Sequence, residues 1–257
     1  MTSTGAASTS SRAAQFGAML GIAAVVFVIG GVASAALQIL PPFSGFLLMV
    51  LGLGLSLVGT VTSIVGLVAT SPSRGRAGRS SALRGFALSL VTLVAIAIPA
   101  SRGRDVPRIN DITTDLDNPP VFVTTAQNED NRGRDMPYPG ASFAEQQQKA
   151  YPDLASLVVA DEPPAAFERV RAALGAMPNM EIVGESRDEG RIEATETSAL
   201  FHFADDVVVR IKSFEGSGSR IDVRSKSRVG QGDLGVNAKR IRTLFGRLRA
   251  ANPPPGD

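Results

Sequence analysis

The chain has 257 residues, 44% of them hydrophobic and only 5% aromatic. Residues 1–100 carry five basic side chains (Arg12, Arg74, Arg76, Arg79, Arg84) and no acidic one, whereas the remainder is mixed in sign and slightly acidic. This partition excludes a simple water-soluble globule and a strongly basic nucleic-acid binder, and the absence of cysteine excludes disulfide frameworks, thiolate nucleophiles and cysteine metal sites.

Residues 1–15 read as a disordered N-terminus. Phe16–Leu40 and Gly45–Ala69 are free of charge, and each meets the roughly 20 apolar residues that a bilayer-spanning helix needs. Gly85–Pro99 is shorter, bracketed by Arg84 and Arg102, which are placed to snorkel to the two surfaces. Three transmembrane helices are predicted, at about 16–40, 45–69 and 83–99, within a membrane region 16–100. Pro41-Pro42 reads as a tight turn between the first two.

The arginines of the 71–84 loop, with Arg12, predict a cytoplasmic N-terminus by the positive-inside rule. Three crossings then carry the rest of the chain outside, which in a bacterium means an inner (cytoplasmic) membrane protein with a periplasmic C-terminal domain. Arg12, the apolar run and Ala33-Ser34-Ala35 also imitate a signal peptide. The run is longer than a usual signal core and two more spans follow, so an uncleaved helix is expected.

Gly52, Ser56, Gly59, Ser63 and Gly66 recur at alternating spacings of four and three, which places them on one face of the second helix. Small residues let helices approach closely in lipid. The stripe serves either packing among this chain's own helices or docking of another membrane subunit. The expected partners are the lipid bilayer and another membrane protein or envelope component, with no nucleic acid.

Residues 101–163 are rich in proline and read as an extended and linker segment, most linker-like at Gln127–Gly140. Ser142–Ala150 is predicted as a short helix, with Ser142 and Glu145 at capping-box spacing. From 164 to 257 the pattern is that of an α+β domain. Phe167, Val170, Leu174 and Met177 mark a helix at about 164–176. Strands follow near 181–186, 191–198, 206–213 and 220–229, with turns at Asp188-Glu189-Gly190 and Gly216-Ser217-Gly218. The last helix, about 236–250, places Ala238, Ile241, Phe245 and Leu248 in the core and Lys239, Arg240, Arg242, Arg247 and Arg249 in water, and Asn252–Pro255 ends it.

Helix, four strands and helix predict an antiparallel sheet of about four strands with helices on one face. In the last strand Ile221, Val223 and Val229 alternate with Arg220, Asp222, Arg224, Lys226 and Arg228. The charged face is either solvated, as is common for antiparallel sheets, or a polar groove closed over by Pro107–Thr125.

Ile109-Asn110-Asp111-Ile112-Thr113-Thr114-Asp115 with Pro119-Pro120, then Tyr151-Pro152, then Ser225–Gly230 running through Asp233–Asn237 to Arg240-Ile241, resemble the domain of unknown function 1499 family over about residues 105–250. The resemblance implies a domain found in bacteria and plastids, often behind N-terminal membrane helices, with no established biochemical role and no catalytic residues to transfer. Members often have a cysteine early in the domain, which this chain lacks.

Gly230–Gly235 fits GxGxxG between a strand and a helix. The preceding strand is charge-laced, and no acidic residue follows Asp233 until Asp257, so the ribose-binding carboxylate of a dinucleotide site is missing. Two readings remain. In one, the helix N-terminus with Arg224, Arg228, Gly230, Gly232, Asn237 and Arg240 forms an anion-binding site for a small molecule or a lipid headgroup. In the other, Asp222 and Asp233 pair with those arginines.

Asp111, Asp115, Asp117 and Asn118 lack the glycine of a calcium loop and are expected to cap turns. His202, with no GxSxG elbow anywhere, reads as a half-buried side chain. Asp205 and Asp206, adjacent, would point to opposite faces of a strand and are expected in a turn. No catalytic residue, cofactor or metal site is expected. The sequence reads as a membrane-anchored binding or accessory module, the alternatives being anion binding at 224–240 and an unrecognised carboxylate-dependent enzyme.

Overall fold

The structure is a computed structural model that describes residues 9–74, 76–101, 106–216 and 218–250. Most of the N-terminal stretch, the residues Arg102, Arg104 and Ser217, and the Asn252–Pro255 terminator lie outside the described residues. The chain divides into two compact units, one of long helices and one built on a sheet.

The first unit contains α1 (Arg12–Ala36), α2 (Pro42–Ala69) and α3 (Arg79–Ser101), each long and apolar enough to cross a membrane. All three start before the apolar runs do. Ser11 caps α1, its Oγ accepting from the Ala14 amide. Pro42 opens α2 rather than lying in the turn, because a proline at N1 has no amide to lose. α3 reaches 23 residues, so the third segment is as long a helix as a span requires.

Gly52, Ser56, Gly59, Ser63 and Gly66 are all buried within this unit. A Cβ at Gly66 would lie 2.8 Å from Ala14 Cα, and one at Gly52 2.9 Å from Ala24 O, so α1 packs directly on α2 backbone there. The Ser63 hydroxyl fits the notch left by Gly17 and Gly85, and Ser89 of α3 fits against Gly59. The stripe is therefore occupied by the chain's own helices. The opposite faces carry exposed Phe16, Ile22, Leu57, Val61 and Val91, the composition lipid-facing surface requires.

The second unit is a six-stranded antiparallel sheet: β1 (Asp111–Thr113), β2 (Leu157–Val159), β3 (Met180–Ser186), β4 (Arg191–Thr197), β5 (Ala204–Phe214) and β6 (Gly218–Ser227). The order is β1-β6-β5-β4-β3, with β2 also pairing β6, so β1 and β2 lie end to end along one edge of β6. The sheet has two strands more than alternation predicts. Both are three residues long, too short for a period of two to register.

The helices are α4 (Ala141–Ala150), α5 (Pro163–Gly175) and α6 (Val236–Ala250). The predicted capping box does not form in α4, whose cap is Gly140 at φ 89° with no side-chain bond. Gln147 of α4 instead completes β1: its amide accepts from Thr113 N at 3.0 Å and donates to Thr113 O, standing in for a neighbouring strand. α5 and α6 pack on one face of the sheet. Phe167, Val170, Leu174, Ile241, Leu244 and Leu248 meet Ile192, Val207, Val209, Ile221 and Val223 there, together with Ile109, Ile112 and Tyr151 from the proline-rich stretch. Burying each large aliphatic contributes roughly 1.5–3 kcal/mol.

Two assignments change. Arg240, predicted in water, is buried, because α6 turns it toward the sheet. Val229 is exposed and lies past the end of β6.

Candidate functional site

Strand alternation sends Ile221, Val223, Ser225 and Ser227 of β6 toward the helices and Arg220, Asp222, Arg224 and Lys226 to the other face. The register places Asp206 opposite Lys226, Val208 opposite Arg224, Arg210 opposite Asp222 and Glu193 opposite Val208, so one face of β4, β5 and β6 is a lattice of charge. This face is not solvated but closed over, in part by the Pro107–Thr125 segment expected there. Asp111, Glu193, Asp206, Asp222 and Arg224 are buried to within about 1% of complete.

The irregular chain between β1 and α4 covers it. An irregular segment carries unpaired backbone groups, and burying them requires partners. The sheet's side chains supply those partners. Glu193 accepts from the amides of Val123, Thr124 and Thr125 at 2.9–3.0 Å and from the Thr125 hydroxyl at 2.8 Å. Arg210 donates to Asn118 O at 2.9 Å, and Asn131 bridges Thr125 O and Asp206 Oδ2. Gly184 of β3 leaves room for Thr124, whose side chain occupies the space of a Cβ there.

Arg224 is the centre of this layer. Its Nε and Nη2 donate to Asp111 Oδ1 and Oδ2 at 2.8 and 2.7 Å, Nη2 also to Met136 O at 2.8 Å, and Nη1 to Pro120 O at 3.2 Å. Its guanidinium carbon stands 4.8 Å from the Phe122 ring centroid and 5.6 Å from that of Tyr138. Lys226 Nζ donates to the same Asp111 at 2.8 Å. Arg228 pairs with Asp206 and with exposed Asp130, and burial's tendency to lower its pKa is outweighed by those carboxylates, which raise it. Asp115 and Asp222 share Arg210 and Arg220.

Above Arg224 the covering chain opens into a cleft of about 470 Å³, lined by Pro119, Val121, Phe122, Met136, Pro137 and Tyr138, with Arg224 at its base. The volume lies in the range of small-molecule sites, roughly 300–1,000 Å³. The walls are almost wholly apolar. The Tyr138 hydroxyl is buried and has no hydrogen-bond partner among the described residues. Its pKa is pushed up to about 12, first by burial and then by the Asp111 charge, with Arg224 opposing.

The anion-binding set predicted at 224–240 is not brought together. Arg224 and Arg228 lie on the covered face. Arg240 and Asn237 lie beneath the sheet on the helix side, where Arg240 meets Glu196, Asp205 and Ser225. Gly230 and Gly232 are in the loop between β6 and α6, Gly232 against Arg108. The N-terminus of α6 is occupied by Asp233, whose two oxygens accept from the Gly235 and Asn237 amides at 2.8 Å. Asp205 and Asp206 are on strand β5 rather than in a turn and do point to opposite faces, to Arg240 and Arg228.

Asp115 does cap a turn, through Asn118 N, but Asp111 is an ion-pair residue of β1. His202 stands in the connection before β5 at φ 54°. Among the described residues no group of three or more His, Asp or Glu side chains is arranged to hold a metal ion. Phe122, Met136 and Tyr138 were missed by pattern reading. Their only signal is two aromatics and a methionine in an otherwise polar, proline-rich stretch.

A family model described as a protein of unknown function (DUF1499) matches residues 111–248. No curated protein and no solved structure matches the chain.

Proposed function

The chain belongs to the DUF1499 family, and we propose that it is a membrane-anchored, non-enzymatic binding module whose working surface is the cleft above Arg224. The three N-terminal helices are its anchor. The arginine-rich loop between the second and third helices supports a cytoplasmic N-terminus and a sheet domain outside, in a bacterium in the periplasm.

One observation carries the reading. The cleft is the place where a buried charged layer meets an apolar, ligand-sized opening. The carboxylates beneath it support binding rather than acid–base chemistry, since Asp111, Asp206, Asp222 and Glu193 are each engaged by the guanidinium, ammonium or amide donors that hold the fold.

Native mass spectrometry of the full-length protein, gently extracted from its own membrane, tests this. A retained small molecule or protein that is lost in Val121→Asp supports the cleft as the binding surface. Val121 is 66% exposed, so the substitution charges the cleft without disturbing the core. Retention unchanged by Val121→Asp, or a bare monomer in both, overturns it. A reporter fused after Asp257 is expected to be active only outside the cytoplasm, and cytoplasmic activity overturns the orientation.

A further inference from the structure

Resting on that reading of the cleft, we propose that its ligand is a single-chain amphipathic carboxylate, a long-chain fatty acid taken from the membrane, with the carboxylate on Arg224 and Tyr138 and the alkyl chain along Phe122 and Met136. Three observations converge on this chemistry. The first is the lining, which is almost wholly apolar and suits a hydrocarbon body, with Arg224 its one charged residue.

The second is the donors left over in that lining. A guanidinium has five N–H bonds. Arg224 commits four of them to Asp111, Pro120 O and Met136 O, leaving one on Nη1. The Tyr138 hydroxyl, with its oxygen buried, is also without an acceptor among the described residues. Buried donors without acceptors are costly, and a carboxylate supplies two oxygens for two donors.

The third is charge. The ion-pair cluster at the base of the cleft contains two cations, Arg224 and Lys226, against one carboxylate, Asp111. One further negative charge balances the cluster. A neutral lipid leaves it cationic and a phosphate dianion overshoots. The source follows from the anchor, because a domain tethered by three spans stays beside a reservoir of acyl chains.

The test uses the full-length protein in nanodiscs of neutral phosphatidylcholine, with carboxyl-labelled dodecanoate followed by NMR and dodecanol and acetate as competitors. One saturable bound carboxyl resonance per chain is expected, displaced by neither competitor. Tyr138→Phe keeps the ring and the ion pairs, and is expected to weaken dodecanoate about tenfold through the loss of one charge-assisted hydrogen bond. Val121→Asp is expected to abolish the bound resonance.

Displacement by dodecanol at equal concentration overturns the anion requirement while leaving the cleft a binding site. Displacement by acetate overturns the need for a chain. Unchanged affinity in Tyr138→Phe removes Tyr138 from the site and overturns the assigned pose. If dodecanoate does not bind yet another mass is lost in Val121→Asp, the ligand class fails and the binding reading stands. If neither variant nor wild type retains anything, both fail.

Discussion

Arg224 and Asp111, 113 residues apart in the chain, form a two-pronged ion pair, Nε to Oδ1 at 2.8 Å and Nη2 to Oδ2 at 2.7 Å, with both side chains sealed from water. The pair joins an edge strand that alternation does not detect to the strand it detects most clearly. Two further donors of the guanidinium hold the Pro120 and Met136 carbonyls, in the two stretches of covering chain that line the cleft.

Removing Arg224 leaves Asp111 with Lys226 alone and the Pro120 and Met136 carbonyls without their donor. Arg224→Met is expected to destabilise the sheet domain by about 3–5 kcal/mol. Asp111→Leu/Arg224→Met is expected to restore no stability, because it leaves Lys226 buried without the carboxylate it shares with Arg224. Denaturant midpoints of the full-length protein in detergent give the coupling. Full recovery in the double variant would show that Lys226 does not depend on Asp111.

Glu193 acts as an anchor for the covering chain. Glu193→Gln replaces one oxygen, which accepts from two backbone amides or from an amide and a hydroxyl, by a donor that repels them. The loss is expected to be about 2 kcal/mol. Hydrogen exchange is expected to accelerate at Val123–Thr125 while β5 and β6 keep their protection. Uniform acceleration across the sheet would assign Glu193 to global stability instead.

The chain has two tyrosines, and both are expected to ionise above the ordinary value near 10. Tyr138 is pushed up to about 12, and Tyr151 is raised by burial and by Asp233 against the opposing Arg242. A raised folded-state pKa means that the unfolded chain loses the proton first. Stability is therefore expected to fall as pH rises between about 10 and about 12, and Tyr138→Phe is expected to make that fall shallower. Phenolate absorbance against pH checks this. A tyrosine titrating near 10 in the folded protein refutes the burial of its hydroxyl.

Within the helical unit, Gly66→Leu and Gly54→Leu form a matched pair. A Cβ at Gly66 would lie 2.8–2.9 Å from backbone atoms of Ala14, whereas one at Gly54 meets nothing within 4 Å. Gly66→Leu is expected to cost about 2 kcal/mol or more by overpacking, and Gly54→Leu almost nothing. Thermal loss of helix circular dichroism in detergent compares them. Equal effects would mean that the stripe does not pack α2 against α1.

Much of the architecture is written in local pattern. Runs without charge determine the three long helices, the first two long enough to cross a bilayer by themselves and the third only with the turn from Arg79 that precedes its run. The alternation of β3–β6 and the spacing of Phe167, Val170 and Leu174, and of Ile241, Phe245 and Leu248, determine most of the sheet and the helices that cover it. The small-residue stripe on α2 is equally legible as a packing face, though not which helix packs there.

What pattern does not carry is the fate of charge. Arg224 and Arg240 both sit in the sequence as ordinary surface arginines, and both are buried. A charged side chain enters a core only when its partner arrives with it, and the partners Asp111 and Asp205 come from other strands, Asp111 from one only three residues long. Local sequence offers Pro107–Thr125 as a cover for the charged face, but not what holds the proline-rich stretch there. Its order comes from Glu193, Arg210 and Arg224 satisfying backbone groups that the stretch cannot satisfy itself. The helices and strands were determined by residues near one another in the chain. The buried ionic layer and its cleft were decided by the tertiary structure, because the desolvation of each charge is offset only by a group that folding brings from far away.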